Sequence, residues 1–163
     1  MLSHCSKRKE SPIRIYLVYT SLTGNTRKLA EAMAETLEVE AWKVKEVSAV
    51  DSVDLLFLGS GVYGGRPARS MREFLRKLPS LEEVKIALFG TYGAQPRQLD
   101  TMASLVQEKG GEILGRFSCK GRDWFALGLI GRGHPSSTEL EAAASFTQQI
   151  RDRAEKLSDR EIE

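Results

Sequence analysis

Three short apolar runs constrain the fold of this chain more than any other feature of the sequence. They cover residues 13–19, 54–59 and 85–90, and each leads into a polar loop that contains glycine. A helical stripe of apolar residues follows each loop. Short apolar runs without alternation are typical of strands covered on both faces. Strands that alternate with helices predict a parallel sheet with helices on both faces, joined by right-handed crossovers.

Two further strands and four helices complete the predicted order. Residues 42–47 alternate between apolar and polar and predict a half-exposed edge strand, and residues 112–119 predict a fifth strand. The apolar stripes predict helices over residues 25–37, after Pro67 and before Pro79, around residues 99–106, and over residues 137–157. The predicted fold class is α/β: a doubly wound, three-layer α/β/α sandwich around a five-stranded parallel sheet, with the three apolar runs at its centre.

The length and the ends of the chain predict a simple domain organisation. We expect one domain over residues 13–157, because no linker or internal repeat divides it. Residues 1–12 are polar and basic and predict a disordered arm, and residues 158–163 predict a frayed C-terminus.

Charge and hydropathy argue against several classes of partner. The chain has 24 Lys and Arg against 22 Asp and Glu, with no long basic stripe, so we expect no nucleic-acid binding. No apolar run reaches the ~18 residues of a membrane helix, and the N-terminal residues lack the apolar centre of a secretory signal. Cys5 and Cys119 lie far apart, which suggests free thiols in a reducing, cytoplasmic compartment, with Cys119 as a small core residue.

The loop after the first apolar run is a candidate anion site. Residues 20–26 (TSLTGNT) join the first predicted strand to the first helix, whose N-terminal N–H groups and dipole suit a phosphate. Ser21, Thr23 and Thr26 add hydroxyl groups, and Gly24 permits a close approach or a positive φ. The same residue types also suit an ordinary turn and a helix cap, so the loop alone leaves both interpretations open.

The other two central strands end in similar loops. Residues 60–67 (SGVYGGRP) and residues 91–96 (TYGAQP) are polar and contain glycine. In doubly wound sheets, ligands bind outside the carboxyl ends of the strands, where the strand order reverses. The three loops therefore predict one convergent site.

The chain resembles the flavodoxin family over residues 13–155. The sequence S-L-T-G-N-T at residues 21–26 resembles the family's phosphate loop, and the segments after the third and fourth strands resemble its two flavin loops. The sequences C-K-G at residues 119–121 and G-H-P at residues 133–135 resemble short flavodoxin-like proteins. The resemblance implies a flavodoxin-like fold that binds FMN.

The resemblance also implies a role for each matching residue. The phosphate would be held by Thr20, Ser21, Thr23, Gly24, Asn25 and Thr26. Tyr63 and Tyr92 would pack on the isoalloxazine, although each also suits simple shielding of the sheet edge. The Gly64-Gly65 peptide would turn its carbonyl toward the flavin N5, although the pair also suits an ordinary turn. The pyrimidine edge would meet the backbone of Thr91, Gly93 and Ala94.

One departure from the family concerns charge. Flavodoxins that carry electrons are typically acidic, whereas here Arg27 and Lys28 follow the phosphate loop, and Arg66 and Arg69 follow the first flavin loop. Cations in a first helical turn oppose the helix dipole, and a bound phosphate would relieve that conflict. Arg66 and Arg69 also suit a solvated face.

Three functions are consistent with these residues. The first is an FMN-binding carrier of single electrons between larger redox enzymes, without catalytic residues of its own, and monomeric or weakly dimeric. The second is an FMN-dependent NAD(P)H reductase of quinones or other small acceptors, which the basic residues favour slightly. The third is an interaction module that keeps the fold without the flavin. Neither metal nor membrane enters any of these hypotheses, and the redox partner proteins are not identified by the sequence.

Overall fold

A computed structural model of the chain describes residues 12–92, 97–120 and 135–161. Its strands are β1 (Ile15–Tyr19), β2 (Ala41–Lys43), β3 (Leu55–Tyr63), β4 (Arg66–Pro67), β5 (Lys85–Tyr92) and β6 (Glu112–Lys120). Its helices are α1 (Asn25–Leu37), α2 (Arg69–Lys77), α3 (Gln98–Gln107) and α4 (Ser137–Glu161).

Five parallel strands form the sheet in the order β2-β1-β3-β5-β6. The three apolar runs are its central strands, which confirms the prediction from their lack of alternation. The short β4 pairs antiparallel with the end of β3, through Val62 opposite Pro67 and Tyr63 opposite Arg66. Because β2 and β3 lie on opposite sides of β1, the strand order reverses between β1 and β3.

Two apolar clusters fill the space between the sheet and its helices. Leu17, Phe57 and Phe89 face the side covered by α1 and α4, and all three are fully buried. Val18 and Leu58 belong to the opposite cluster, under α2 and α3. Neighbouring residues of one strand therefore reach both faces, as expected of strands in the middle layer of a three-layer α/β/α fold. The fold class predicted from the sequence is confirmed.

The edge strand is shorter than the sequence predicts. The prediction of a strand over residues 42–47 is wrong beyond Lys43, because Val44–Glu46 form one turn of 3₁₀ helix. This turn places Val44 and Val47, three residues apart, in the same apolar cluster. The Glu46 carboxylate accepts a hydrogen bond from the Lys43 N–H at 3.0 Å and stabilises the turn.

The ends of several elements also differ from the predicted bounds. Strands β3 and β5 extend to Tyr63 and Tyr92, so they carry both tyrosines of the predicted flavin loops. Helix α4 continues to Glu161, so residues 158–161, which the sequence places in a frayed end, are helical. Within the described ranges, no helix is both long and apolar enough to span a membrane.

Candidate functional site

The loops after β1, β3 and β5 lie at one edge of the sheet, next to the point where the strand order reverses. We refer to this edge as the carboxyl edge. The start of α1 follows the loop after β1, the start of α2 follows β4, and the start of α3 follows the loop after β5. Parallel strands and right-handed crossovers place these helix N-termini at the same edge.

The phosphate loop turns tightly into α1. Gly24 is the residue before the helix and has a φ of 89°, in the left-handed region that favours glycine. The Gly24 N–H donates to Ser21 Oγ at 3.1 Å, and the first bond into the helix runs from the Lys28 N–H to the Gly24 carbonyl at 3.1 Å. Ser21 therefore makes the turn, as the alternative interpretation proposed. The first turn of α1 still directs its N–H groups toward the loop, because helix N-termini lack carbonyl partners.

Two threonines of the predicted phosphate site are buried under the loop. Thr26 is 1% exposed, and its hydroxyl lies 2.8 Å from that of Thr91 at the end of β5. Thr20 is 8% exposed and donates to Ser60 Oγ at 3.1 Å. These hydroxyls join β1, α1, β3 and β5 beneath the site. The structure thus places Thr20 and Thr26 in its supporting layer, while Thr23 in the loop is exposed.

Ser60 is a residue of the site that the sequence did not single out. Its hydroxyl accepts from Thr20 and from the Ala68 N–H at 3.1 Å, and it donates to the Gly61 carbonyl at 2.9 Å. It thereby connects the end of β3 to the residue before α2. Its position immediately after the apolar run 54–59 is the only signal in the sequence that points to it.

Gln98 is the second residue that the sequence analysis missed. It is fully buried in the first turn of α3, and its Nε2 donates to the Thr91 carbonyl at 3.1 Å and the Ser60 carbonyl at 3.4 Å. A Cβ at Gly90 would lie 2.6 Å from this Nε2, so the bridge requires glycine there. Gln98 Oε1 has no hydrogen-bond partner among the described residues. Gln98 lies four positions before Met102, on the same face of α3 as the apolar stripe of that helix. A polar residue in line with an apolar stripe was the signal in the sequence that could have identified Gln98.

Tyr63 packs back toward the phosphate loop. Its hydroxyl accepts a hydrogen bond from the Leu22 N–H at 3.2 Å, and a Cβ at Gly61 would lie 2.8 Å from the same hydroxyl. Burial raises the pKa of Tyr63, and the Leu22 N–H opposes that shift. The phenol therefore remains protonated at neutral pH and stands beside the loop.

The Gly64-Gly65 pair forms the turn between β3 and β4. Both residues have positive φ, 58° for Gly64 and 76° for Gly65. Two successive residues with positive φ are typical of a tight hairpin turn, and glycine adopts them without strain. The ordinary turn that the sequence left open is therefore present at these positions.

The second flavin loop is described only at its start. Thr91 is buried and Tyr92 is partly exposed at the end of β5, whereas the predicted site residues Gly93 and Ala94 lie outside the described residues. The G-H of the G-H-P sequence and the Gly121 of C-K-G also lie outside them. Cys119, opposite Thr91 on β6, is buried in the core as predicted, and burial raises its thiol pKa to about 12.

The cations at this edge are exposed. Arg27 pairs with Glu31 at 2.9 Å and Arg69 pairs with Glu73 at 2.7 Å, each one turn along its helix. These pairs form a solvated face, and the acid in each case offsets a cation placed against the helix dipole. Arg66 is also exposed.

The donor set suits a phosphate ester that carries a planar ring. Neutral hydroxyls and backbone N–H groups converge on the start of α1, and such groups bind phosphate at helix N-termini. The two tyrosines at the ends of β3 and β5 supply aromatic surface next to this anion site. These residues fit FMN, the cofactor that the resemblance implies.

Comparisons with known proteins agree with this fold. The family model for a flavodoxin domain matches residues 16–127. An uncharacterized protein of Methanocaldococcus jannaschii is 29% identical over 148 residues, which cover 85% of this chain and 98% of that protein. A flavodoxin-like domain-containing protein of Clostridioides difficile, BilS, is 31% identical over 119 residues, 65% of each chain. The structure of a flavodoxin from the domain Archaea matches 88% of this chain and 99% of its own, with a TM-score of 0.70 at 19% identity, which supports the fold alone.

Proposed function

This chain belongs to the flavodoxin domain family, and from that premise we propose that it binds FMN at the carboxyl edge and carries single electrons between larger redox enzymes. The observation that carries the proposal is the phosphate loop, which turns at Gly24 into the N-terminus of α1 and is joined to β5 through Thr26 and Thr91. Bound FMN supplies the redox chemistry, and the protein sets its orientation and its surroundings.

The phosphate is held, in this proposal, by N–H groups of the loop and of the first turn of α1. The hydroxyl of Thr23 adds a donor, with Ser21 at the turn and Asn25 opening the helix. Thr20 and Thr26 keep the loop in shape from below, through their bonds to Ser60 and Thr91. The hydrogen bonds that support the loop are thus neutral and largely buried, so their strength depends little on the salt concentration.

The isoalloxazine lies, in this proposal, between the loops that Tyr63 and Tyr92 begin. The Gly64-Gly65 turn lies next to Tyr63 and supplies the peptide carbonyl for the flavin N5. The backbone of Thr91, Gly93 and Ala94 meets the pyrimidine edge. All three assignments are predictions from the resemblance, and Gly93 and Ala94 lie outside the described residues.

A second candidate is an FMN-dependent NAD(P)H reductase of quinones or other small acceptors. The exposed cations Lys28 and Arg66 at the carboxyl edge favour it, because a nicotinamide dinucleotide is anionic. The carrier ranks first because the described connections at this edge are short: five residues between β1 and α1, and two between β3 and β4. Fold alone does not assign the chemistry.

The first experiment is the absorbance spectrum of the purified protein after addition of FMN. We expect a flavin spectrum that stays with the protein through gel filtration, and anaerobic reduction in two separable one-electron steps. Protein that stays colourless and does not take up FMN would contradict the proposal. Rapid oxidation of NAD(P)H with a small quinone would favour the reductase over the carrier.

A further inference from the structure

Four exposed cations surround the carboxyl edge, and we call them the basic rim. Lys28 lies in the first turn of α1, Arg66 lies in β4, Arg97 precedes α3, and Lys120 ends β6. All four are exposed, and none forms an ion pair with a carboxylate of the described residues. They come from four different elements and meet at one edge because of the topology.

The acidic side chains near the starts of α1, α2 and α3 do not offset this rim. Glu31 and Glu73 are paired with arginines of their own helices, and Asp100 accepts from Arg116 at 2.8 Å. The net charge of the whole chain is only +2, so four cations without an ion pair to a described residue stand out from a nearly balanced chain. A local field of one sign steers an oppositely charged partner toward that edge.

Helix stability does not account for two of the four cations. Lys28 lies at an N-terminus, and so does Arg97, where the helix dipole disfavours positive charge. Neither pairs with the acid three positions further along, because Glu31 pairs with Arg27 and Asp100 pairs with Arg116. A cation at a helix N-terminus lowers the stability of that helix. We take this cost at Lys28 and Arg97 to indicate a partner that brings negative charge.

Leu22 adds an exposed apolar side chain at the same edge of the sheet. It is 79% exposed, whereas the other large apolar side chains of the described residues are at least partly covered. It lies in the phosphate loop, and its N–H is held by the Tyr63 hydroxyl. An exposed apolar residue inside a charged periphery has the composition of a protein interface.

We propose that Leu22 and the basic rim form the docking surface for the acidic face of a redox protein. This inference rests on the proposed function, because the surface surrounds the loops that would hold the flavin. The spread of the cations over four elements suits a protein face, and the dinucleotide of the reductase hypothesis would need a narrower site. Docking at this edge brings a partner's acceptor next to the flavin.

The test compares two haem proteins of opposite charge as electron acceptors, soluble cytochrome b5, which is acidic, and cytochrome c, which is basic. The FMN-loaded protein is reduced anaerobically with dithionite and mixed with either ferric protein. Each ferric haem becomes ferrous by accepting one electron from the flavin, and no bond is made or broken. We expect the rate with cytochrome b5 to fall as salt rises from ~10 mM to ~0.5 M, and the rate with cytochrome c to rise.

Charge-reversal variants locate the surface. We expect the double variant Arg66→Glu and Arg97→Glu to slow reduction of cytochrome b5 by roughly tenfold or more at low salt. Arg76→Glu with Arg160→Glu is the matched control, because both residues are exposed near the opposite ends of α2 and α4 and the change in net charge is the same. Leu22→Ser should weaken the complex at every salt concentration.

A binding measurement separates this inference from the proposed function. Oxidised cytochrome b5 is titrated into flavin-free protein, and we expect amide chemical shifts to change at Leu22, Arg66 and Arg97. Equal effects of the two double variants, or a rate with cytochrome b5 that does not fall with salt, would overturn the docking surface. A protein that takes up no FMN but gives these shifts would instead contradict only the proposed electron transfer.

Discussion

The side-chain amide of Gln98 bridges the two strands that lead into the predicted flavin loops. It donates to the carbonyls of Ser60 and Thr91, which lie near the ends of the strands that lead into the two flavin loops. A single buried residue of α3 thus controls the spacing between β3 and β5 at the carboxyl edge. We therefore expect Gln98 to affect cofactor binding through the positions of these strand ends.

Replacing Gln98 tests this role. We expect Gln98→Leu to lower the free energy of unfolding by ~1–2 kcal/mol, because two buried carbonyls lose their donor. FMN affinity should fall as well. Gln148→Leu is the control, because that amide bonds Asp152 on an exposed face of α4, and we expect a change within about 0.5 kcal/mol. Urea denaturation of both variants measures the difference, and similar small effects would contradict the prediction.

The thiol of Cys119 should be inert in the folded protein. Its pKa is raised to about 12, mainly by burial and also by Glu139, so almost no thiolate exists near neutral pH. In a Cys5→Ser background, we expect dithionitrobenzoate to label the protein at about pH 8 only after unfolding in urea. Labelling of the native protein at the unfolded rate would show that the thiol is accessible.

The same shift predicts a dependence of stability on pH. Because the folded pKa lies above the unfolded value of 9.0, the protonated thiol contributes stability below pH 9.0, and this contribution is lost as pH rises toward 12. We therefore expect the unfolding free energy of the native sequence to fall more steeply above pH 9.0 than that of Cys119→Ala. Parallel curves would contradict this prediction.

At the scale of the elements, the contact between α1 and β5 depends on one pair of hydroxyls. Thr26 is the second residue of α1 and Thr91 lies near the end of β5, and their oxygens are 2.8 Å apart in a buried position. The pair sets the position of the helix N-terminus, and with it the candidate phosphate site, relative to the sheet.

The isosteric change Thr26→Val removes this bond without opening a cavity. We expect a loss of ~1–2 kcal/mol in unfolding free energy, because the Thr91 hydroxyl is left buried without its partner. FMN affinity should fall by more in Thr26→Val than in the control variant Thr36→Val. Thr36→Val lies on the same helix, where the hydroxyl bonds the Ala32 carbonyl within α1, and should be nearly neutral. Thermal denaturation and FMN titration distinguish the two.

At the scale of the whole molecule, α4 is held to the sheet at the edge opposite the candidate site. Lys85 of β5 is 10% exposed and lies 2.7 Å from Glu112 and 2.9 Å from Glu161. The bond to Glu112, followed by that to Glu161, raises the pKa of Lys85. The contact joins residues 76 positions apart, so it connects the end of the chain to its middle.

The two sides of this cluster should respond unequally to substitution. We expect Lys85→Met to cost less than about 1 kcal/mol, because both carboxylates are more than half exposed and regain water. The double variant Glu112→Gln and Glu161→Gln should cost more, since it leaves a buried ammonium without a charged partner. Urea denaturation at about pH 7 measures both, and the reverse order would contradict this account.

Much of this architecture follows from local patterns in the sequence. Helix α1 has the predicted bounds, and the central strands are the runs that lack alternation, because burial on both faces shows directly in composition. The 3₁₀ turn at Val44 was missed because six residues are too few to distinguish apolar residues that recur every third position from apolar residues that alternate. The bonds of Gln98 and Tyr63 join positions 38 and 41 residues apart, and only the folded geometry specifies them.

The hydrogen bond from the Leu22 N–H to the Tyr63 hydroxyl has a consequence for cofactor loading. It ties the proposed phosphate loop to the aromatic ring that would contact the flavin. When the ring moves away, that exposed N–H bonds water instead, and in the proposed complex a phosphate oxygen is a stronger acceptor. In the proposed complex the phosphate competes with the Tyr63 hydroxyl for this N–H, so we expect FMN to displace the ring more readily than riboflavin, which lacks the phosphate.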